Sequence, residues 1–370
     1  MRYLHCIAAL ALCLGATGCH TTTGSPANAN KSPGSSPGAG SAATSTVKPV
    51  TVASDADLLK MKVNEAGQVP ILEYHNIRVG RTNYDRTPEA FRNDLETLYR
   101  EGYRPVSLHD YIDNKIDVPL GMTPVVFTFD DSSPTQFRYK EDGSLDPDCA
   151  FAILKTFHEA HPDFGMKAIF FMNASPTGSP SPVFGDQSTA EKKVKELLAA
   201  GMEIGNHTVT HPNLKKLSDD KVQKELADCV AGVHKLAPDA VVDTLALPFG
   251  VSPKNKELAE EGESGGVKYH NRAVLLVGAN PAPAPGTVKF NPLRLPRIQA
   301  YAGLMGSDQW LASFQSHPKM RYISDGDPAT VTVPQASVLK GPPQRPRDNA
   351  KIDPTQLGAA KLRTYSPETR

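Results

Sequence analysis

Val125-Val-Phe-Thr-Phe-Asp-Asp-Ser-Ser133 runs five largely apolar residues directly into two adjacent aspartates. An apolar run of this length without alternation fits a strand buried on both faces, as parallel sheets require. The chain has to turn where that strand ends, and the turn can bring Asp130 and Asp131 to the top edge of the sheet. Two carboxylates there repel each other and hold one proton between them unless a cation intervenes. The stretch alone leaves open a plainer alternative, in which one aspartate caps the next turn and the other is solvated.

Outward from this stretch, from about Asp55 to Pro318, short apolar runs alternate with amphipathic segments. PILEYH (70–75), AIFFM (168–172), MEIG (202–205), TLALPF (244–249), AVLLVG (273–278) and LRLPRI (293–298) join VVFTF as strand candidates. Helix start signals lie between them at Thr87 before Pro88, at Ser107 with Asp110 three residues on, at Thr189 and at Ser218, and Gly102 and Gly201 stand where helices end. Alternating strands and helices predict an α/β fold, either a parallel barrel or an open doubly wound sheet. Both put their chemistry at the C-terminal ends of strands. No Gly-rich phosphate loop follows the first strands, and no internal repeat is visible.

The two ends of the chain differ from this body. MRYLHCIAALALCLGATGCH carries Arg2, an apolar run from Ile7 to Leu14 and small residues before Cys19. A membrane-spanning helix needs about 20 apolar residues, so residues 1–18 read as a bacterial lipoprotein signal peptide, with Cys19 as the lipid acceptor. Residues 19–54 are mostly Thr, Ser, Ala, Gly, Pro and Asn and read as a flexible tether, because such a composition buries too little apolar surface to offset its ordering entropy. The expected localisation is therefore the cell envelope, lipid-anchored on the periplasmic or outer-surface side. Residues 319–370 read as a C-terminal appendage, partly disordered, in which RYISDGDPATVTVP forms a short strand pair or an extended arm. Forty basic residues balance forty acidic ones, which argues against nucleic acid as a partner. Cys149 and Cys229 either pair in an oxidising compartment or remain buried free thiols.

A second polar cluster decides between the readings of the aspartates. In EIGNHTVTHPNL, His207 and His211 follow another strand end and stand four residues apart, which on a helical turn puts both imidazoles on one face. Two histidines and one carboxylate make a three-ligand set that leaves positions open for water and substrate, as catalytic zinc sites do. Zinc is the first candidate, with cobalt, nickel or iron also compatible with these ligands.

At this point the sequence resembles the polysaccharide deacetylases of carbohydrate esterase family 4, whose domain is also called the nodulation-protein B homology domain. TFDD resembles the family's first motif and HTVTH its second, and the likeness covers about Val69 to His317 within the body, 55–318. The resemblance implies a distorted (β/α) barrel of about seven strands, Asp131, His207 and His211 as metal ligands, and Asp130 as general base. The third motif departs from the pattern: Ala246-Leu247-Pro248-Phe249-Gly250 lacks the arginine that commonly braces the base, though Phe249 still offers a backbone N–H to an oxyanion. Arg294 and Arg297, in the RLPRI region, are the candidates to replace that arginine. The usual Asp-Trp and Leu-His motifs are absent.

These departures resemble one subgroup, the exopolysaccharide deacetylases acting on poly-β-1,6-N-acetylglucosamine, which also carry an early Tyr-His strand and a GY-PVS segment. ILEYHNI supplies Tyr74 and His75, and EGYRPVSLHDY follows. Taken alone, His75 reads as a structural histidine; the resemblance implies the general acid. The expected function is a metal-dependent N-deacetylase of an extracellular N-acetylglucosamine-containing polysaccharide, in which Asp130 takes a proton from metal-bound water. An acetyl-ester hydrolase and a catalytically dead carbohydrate-binding lipoprotein are the alternatives.

Overall fold

The structure, a computed structural model, describes residues 52–80, 82–178 and 180–366. The expected signal peptide, Cys19 and nearly all of the tether lie outside the described residues. A strand forms in each expected stretch, β1 (Ile71–Tyr74), β2 (Thr123–Phe129), β3 (Ile169–Met172), β4 (Glu203–Asn206), β5 (Thr244–Ala246), β6 (Ala273–Leu275) and β7 (Ile298–Gln299), although β7 overlaps the 293–298 candidate only at Ile298, because Pro292–Arg294 makes a 3-10 turn. They pair in parallel in the order β6-β5-β4-β3-β2-β1-β7. A further short strand, Tyr103–Pro105, pairs with the first half of β2. The sheet curls until its ends meet, where Leu275 of β6 bridges Leu295 ahead of β7 and the Leu295 N–H donates to Val274 O at 2.9 Å. The outcome is a distorted (β/α) barrel of seven strands with helices outside, and the open-sheet alternative falls away.

Strand alternation divides the apolar residues between two cores. Leu72, Phe127, Phe129, Phe170, Ile204 and Val274 face outward and pack under the helices. Ile71, Val126, Ile169, Phe171, Ala246 and Leu275 face inward and fill the barrel. Burying each such side chain contributes about 1.5–3 kcal/mol. Gly205 in β4 makes room for this filling, because a Cβ there would lie 2.3 Å from the Phe171 ring. Residues 73 and 75 of β1 and 128 and 130 on β2 continue the same inward rows toward the C-terminal end, so the interior turns polar as it approaches the strand tips.

Local signals set the helices. Thr87 Oγ1 accepts the Ala90 N–H at the start of Pro88–Arg100, and Ser107 Oγ accepts the Asp110 N–H at the start of Leu108–Ile112. Helix Gln187–Ala199 starts earlier than Thr189 suggested, because Asp186 is the cap: its carboxylate accepts from the Ser188 N–H and the Thr189 hydroxyl. Ser218 does precede helix Asp219–Leu236, although its hydroxyl makes no capping bond. Cys149 and Cys229 are both buried and unpaired, and the Cys229 thiol donates to Met172 O.

Residues 319–366 depart from the expected appendage, because they are built into the fold at the start of β1 and β2. Tyr322 is buried with the barrel interior, and its carbonyl accepts from Thr123 Oγ1 at 2.6 Å. Thr330–Pro334 is a strand, and its partner is the distant segment Lys361–Tyr365 rather than a neighbour within the same stretch. The buried Glu65 carboxylate ties this region down by accepting the Asp325 and Thr332 N–H groups. Val331, Val333, Ile352 and Leu357 add a small apolar cluster, gathered from short separated segments with no long periodic run.

Candidate active site

The C-terminal ends of the strands surround a cavity of about 350 Å³, whose lining includes His75, Asp130, Asp131, His207, His211 and Phe249. Every residue singled out from the sequence as catalytic or metal-ligating is therefore at one place. A larger cavity of about 650 Å³ lies at the opposite end, near Glu203 and Asp243. There His109 is clasped between Glu203 and Asp243, at 2.5 and 2.6 Å, which makes an ion-pair cluster at the base of the barrel.

Strained backbone concentrates at the site. Asp131 (φ 79°), Ser132 (45°), Thr208 (65°), His211 (52°) and Phe249 (59°) are non-glycine residues in the left-handed region, each costing on the order of 1–3 kcal/mol unless the surroundings hold it. His207 and His211 accordingly stand on an irregular loop and not on the helical turn expected from their spacing, yet their rings lie 4.9 Å apart. Glu225 of helix Asp219–Leu236 holds that loop by accepting the Val209 and Thr210 N–H groups and the Thr210 hydroxyl. Asn173, just past β3, donates to His207 O at 2.7 Å. Neither residue belongs to a motif, and neither was legible as part of the site.

The histidine geometry suits a cation. His207 Nδ1 is 2.8 Å from Ala246 O, a pure acceptor, so this nitrogen carries the hydrogen and Nε2 presents a lone pair. Nε2 is buried, has no hydrogen-bond partner, and lies 3.3 Å from Asp131 Oδ1, with His211 Nε2 3.7 Å from the same oxygen. Burial alone would lower the His207 pKa, but the fields of Asp130 and Asp131 outweigh it and draw positive charge, a proton or a metal ion, to this point. Asp131, His207 and His211 thus form a donor set whose ligand atoms lie within 4.8 Å of one another.

Asp130 has a different environment. Its two oxygens accept a forked pair of hydrogen bonds from Arg297, at 2.8 and 2.7 Å, and both side chains are fully buried. Arg297 is therefore the arginine missing from the 246–250 segment, supplied from the loop entering β7; Arg294 is not among the groups that reach Asp130. The guanidinium also donates from Nε to Leu276 O and from Nη1 to Thr128 Oγ1, and lies over the Phe171 ring. Burial would raise the Asp130 pKa, but Arg297 and then His207 overcome it and hold the carboxyl well below the usual range. Asp130 is ionised and oriented, as a base must be.

Glu73, unremarked in the sequence, is buried in the same polar layer, 3.4 Å from Arg297 Nε. For this carboxyl burial outweighs the guanidinium, and its pKa is raised. Glu73, His75 and Asp130 form a second compact group, but Arg297 already supplies its positive charge. The His75 ring is nearly buried, with Tyr84 edge-on at 4.8 Å. It thus enters the cavity close to Asp130, from the base's side. On the opposite wall the half-exposed Phe249 ring packs edge-on against His211 at 4.6 Å.

Residues 118–270 match the family model described as polysaccharide deacetylase. That span contains Asp130, Asp131, His207, His211 and Phe249, and excludes Glu73, His75 and Arg297. "Putative polysaccharide deacetylase YxkH" of Bacillus subtilis (strain 168) is 23% identical over 249 residues, covering 67% of this chain and 76% of the relative. A chitooligosaccharide deacetylase of Sinorhizobium fredii is 28% identical over 58 residues, 16% of this chain and 27% of the relative. Among solved structures, the Streptococcus pyogenes deacetylase PplD in complex with acetate is 22% identical, covering 66% of this chain and 97% of that one, with a TM-score of 0.49.

Proposed function

We propose that this chain, whose residues 118–270 match the polysaccharide deacetylase model, is a metal-dependent N-deacetylase of an extracellular polysaccharide containing N-acetylglucosamine. The observation that carries this reading is the joining, in one cavity, of a three-donor cation set, an ionised carboxylate braced by a buried arginine, and a histidine outside that set. Asp131, His207 and His211 would hold the ion, zinc first. When bound, it supplies Lewis-acid activation of water and of the acetamide carbonyl.

The protein's own groups then divide the remaining work. Asp130, fixed by Arg297, takes a proton from the attacking water. The Phe249 N–H, in the strained turn at Pro248–Gly250, is offered to the carbonyl oxygen as negative charge develops on it. His75 gives a proton to the sugar nitrogen as the C–N bond breaks, and the acyl carbon leaves as acetate. An amide requires that last proton far more than an ester does, so a histidine so near the base favours amide over ester hydrolysis. The intact donor set argues against a catalytically dead binding protein.

Poly-N-acetylglucosamine is the first substrate candidate, on the resemblance carried by Tyr74-His75 and the Gly102–Ser107 segment; the rhizobial relative, named for chitooligosaccharides, supports the same sugar unit. A lipid on Cys19 would keep the domain at the cell envelope, within reach of such a polymer. Acetate release from poly-N-acetylglucosamine, peptidoglycan, chitin oligomers and an acetylated plant polysaccharide, with and without chelator, tests the reading. Chelator-sensitive release from an N-acetylated glycan is expected; release only from O-acetyl esters, or full activity in metal-free protein, refutes it.

A further inference from the structure

Glu73 is on β1 and His75 follows just past its end, two residues on, so the two side chains share the inward row and their Oε1 and Nε2 lie 3.7 Å apart. At 1% exposure, a carboxyl in this position carries a large desolvation cost unless it is paired. One oxygen is accounted for: Oε2 accepts the Gly278 N–H at 2.7 Å and lies 3.4 Å from Arg297 Nε. Oε1 is different. It is buried, has no hydrogen-bond partner, and faces His75 Nε2 at 3.7 Å.

Arg297 spends its hydrogen bonds elsewhere, its Nη atoms on Asp130 and Thr128 and its Nε–H on Leu276 O, so that its tie to Glu73 is a charge contact at 3.4 Å to Oε2 alone. A glutamine would accept the Gly278 N–H equally well without an ionisable group in the core. What glutamate alone provides is a titratable oxygen opposite an imidazole nitrogen, and a contact of this kind is commonly long in the substrate-free site and tightens when substrate binds.

We infer that Glu73 is the positioning residue of the proton donor, its unpartnered Oε1 standing opposite His75 Nε2 and fixing the ring toward the cavity. The role rests on the deacetylase reading for what His75 delivers; the contact itself does not. The protonated ring gives one proton from Nδ1, the nitrogen not turned to Glu73, to the nitrogen of the breaking C–N bond, and is left as a neutral imidazole with Nε2 still facing Glu73. Glu73 touches no reacting atom and acts through His75.

The test is Glu73→Gln in metal-loaded protein, alone and combined with His75→Ala, on an N-acetylglucosamine oligomer and on para-nitrophenyl acetate, whose leaving group needs no proton. The expected result is a roughly 100-fold loss of kcat on the amide with KM unchanged, a loss of less than about 5-fold on the ester, and no further loss in the His75→Ala background. Equal losses on both substrates, or a full additional loss in the double variant, would show that Glu73 works through Arg297 and Asp130 and overturn the assignment. Should Glu73→Gln not fold, Glu73→Asp takes its place with the same two outcomes. Nitrogen NMR of the His75 ring gives a readout independent of turnover: its protonation pattern should change in Glu73→Gln, and an unchanged spectrum overturns the contact. Absence of amide hydrolysis in the wild type would instead sink the deacetylase reading, with the NMR result still deciding Glu73.

Discussion

Replacing Arg297 by methionine removes the strongest of the charges that keep Asp130, the proposed general base, ionised inside the barrel. The substitution roughly preserves volume but deletes the forked hydrogen bonds to Asp130, the bond to Leu276 O and the 3.4 Å contact with Glu73. Breaking a fully buried ion pair from one side costs about 3–5 kcal/mol, a large share of the roughly 5–15 kcal/mol that stabilises a domain. Two buried carboxyls are then left close together with their guanidinium gone and only imidazoles beside them, and the cheaper response is for Asp130 to take up a proton. Burial already opposes its ionisation, and Arg297 is the strongest influence against that. With the base protonated near neutrality, turnover should fall by about 100-fold or more, the scale of a lost general base, and recover in part at alkaline pH. Arg297→Lys keeps the charge without the fork and should fall between the two. Acetate release across pH 6–10, with urea unfolding of the same samples, checks this; an Arg297→Met protein with wild-type turnover at neutral pH and stability within about 1 kcal/mol of wild type would refute the reasoning.

Asp130→Asn should retain bound metal while losing about 100-fold or more in turnover, whereas His207→Ala and His211→Ala should lower metal occupancy; metal analysis beside kinetics separates the two, and equal occupancy in all three would contradict the assigned roles. His75→Ala should cost the amide about 100-fold and an activated ester much less, so comparable losses on both substrates would remove His75 as the acid. Cys19→Ser should abolish lipidation and release soluble or unprocessed protein, and a wild-type mature N-terminus elsewhere than Cys19 would refute the anchor. At the far end of the barrel, hydrogen bonds to Asp243 and then Glu203 lift the His109 pKa to about 10. A pKa raised on folding gives stability that is fully present below the unfolded value, about 6.5, and lost as pH rises through about 10. The rise sets an upper bound near 5 kcal/mol, and solvent screening brings the expected loss to about 2 kcal/mol. Unfolding midpoints of wild type and His109→Gln should therefore converge across that window, and parallel profiles would exclude the effect.

The strands and the first-rank site residues were legible because each is written in a short contiguous stretch. Five apolar residues ending on Asp130-Asp131 describe a buried parallel strand and its tip, and His207 with His211 mark the tip of another. Where local geometry departs from such a pattern the reading fails locally. Two left-handed residues, Thr208 and His211, replace the helical turn that a four-residue spacing suggests, yet the rings still meet because the loop is held by Glu225 from outside the motif. The tail after 318 went unread for a related reason: its fastenings lie far off in sequence, among them Glu65 bonded to backbone N–H groups about 260 residues away and Thr123 bonded to Tyr322 O.

The interior polar layer is the part that no stretch contains, because it is written across three strands in the rows that face the barrel axis. Glu73 and His75 come from β1, Thr128 and Asp130 from β2, and Arg297 from the approach to β7, and these strands are adjacent in the sheet although Arg297 and Asp130 are 167 residues apart in sequence. A motif search finds Asp130 and misses what holds it ionised. Strand pairing supplies the rest: once β1 lies between β2 and β7, same-face neighbours of Thr128 and Glu73 must meet whatever the side chain at 297 is, and a charge there is tolerable only opposite another. Arg297 therefore meets Asp130 from the approach to β7 and not from the 246–250 segment. What the barrel requires at that layer is a guanidinium within reach of Asp130, and the closed sheet offers more than one strand from which to deliver it.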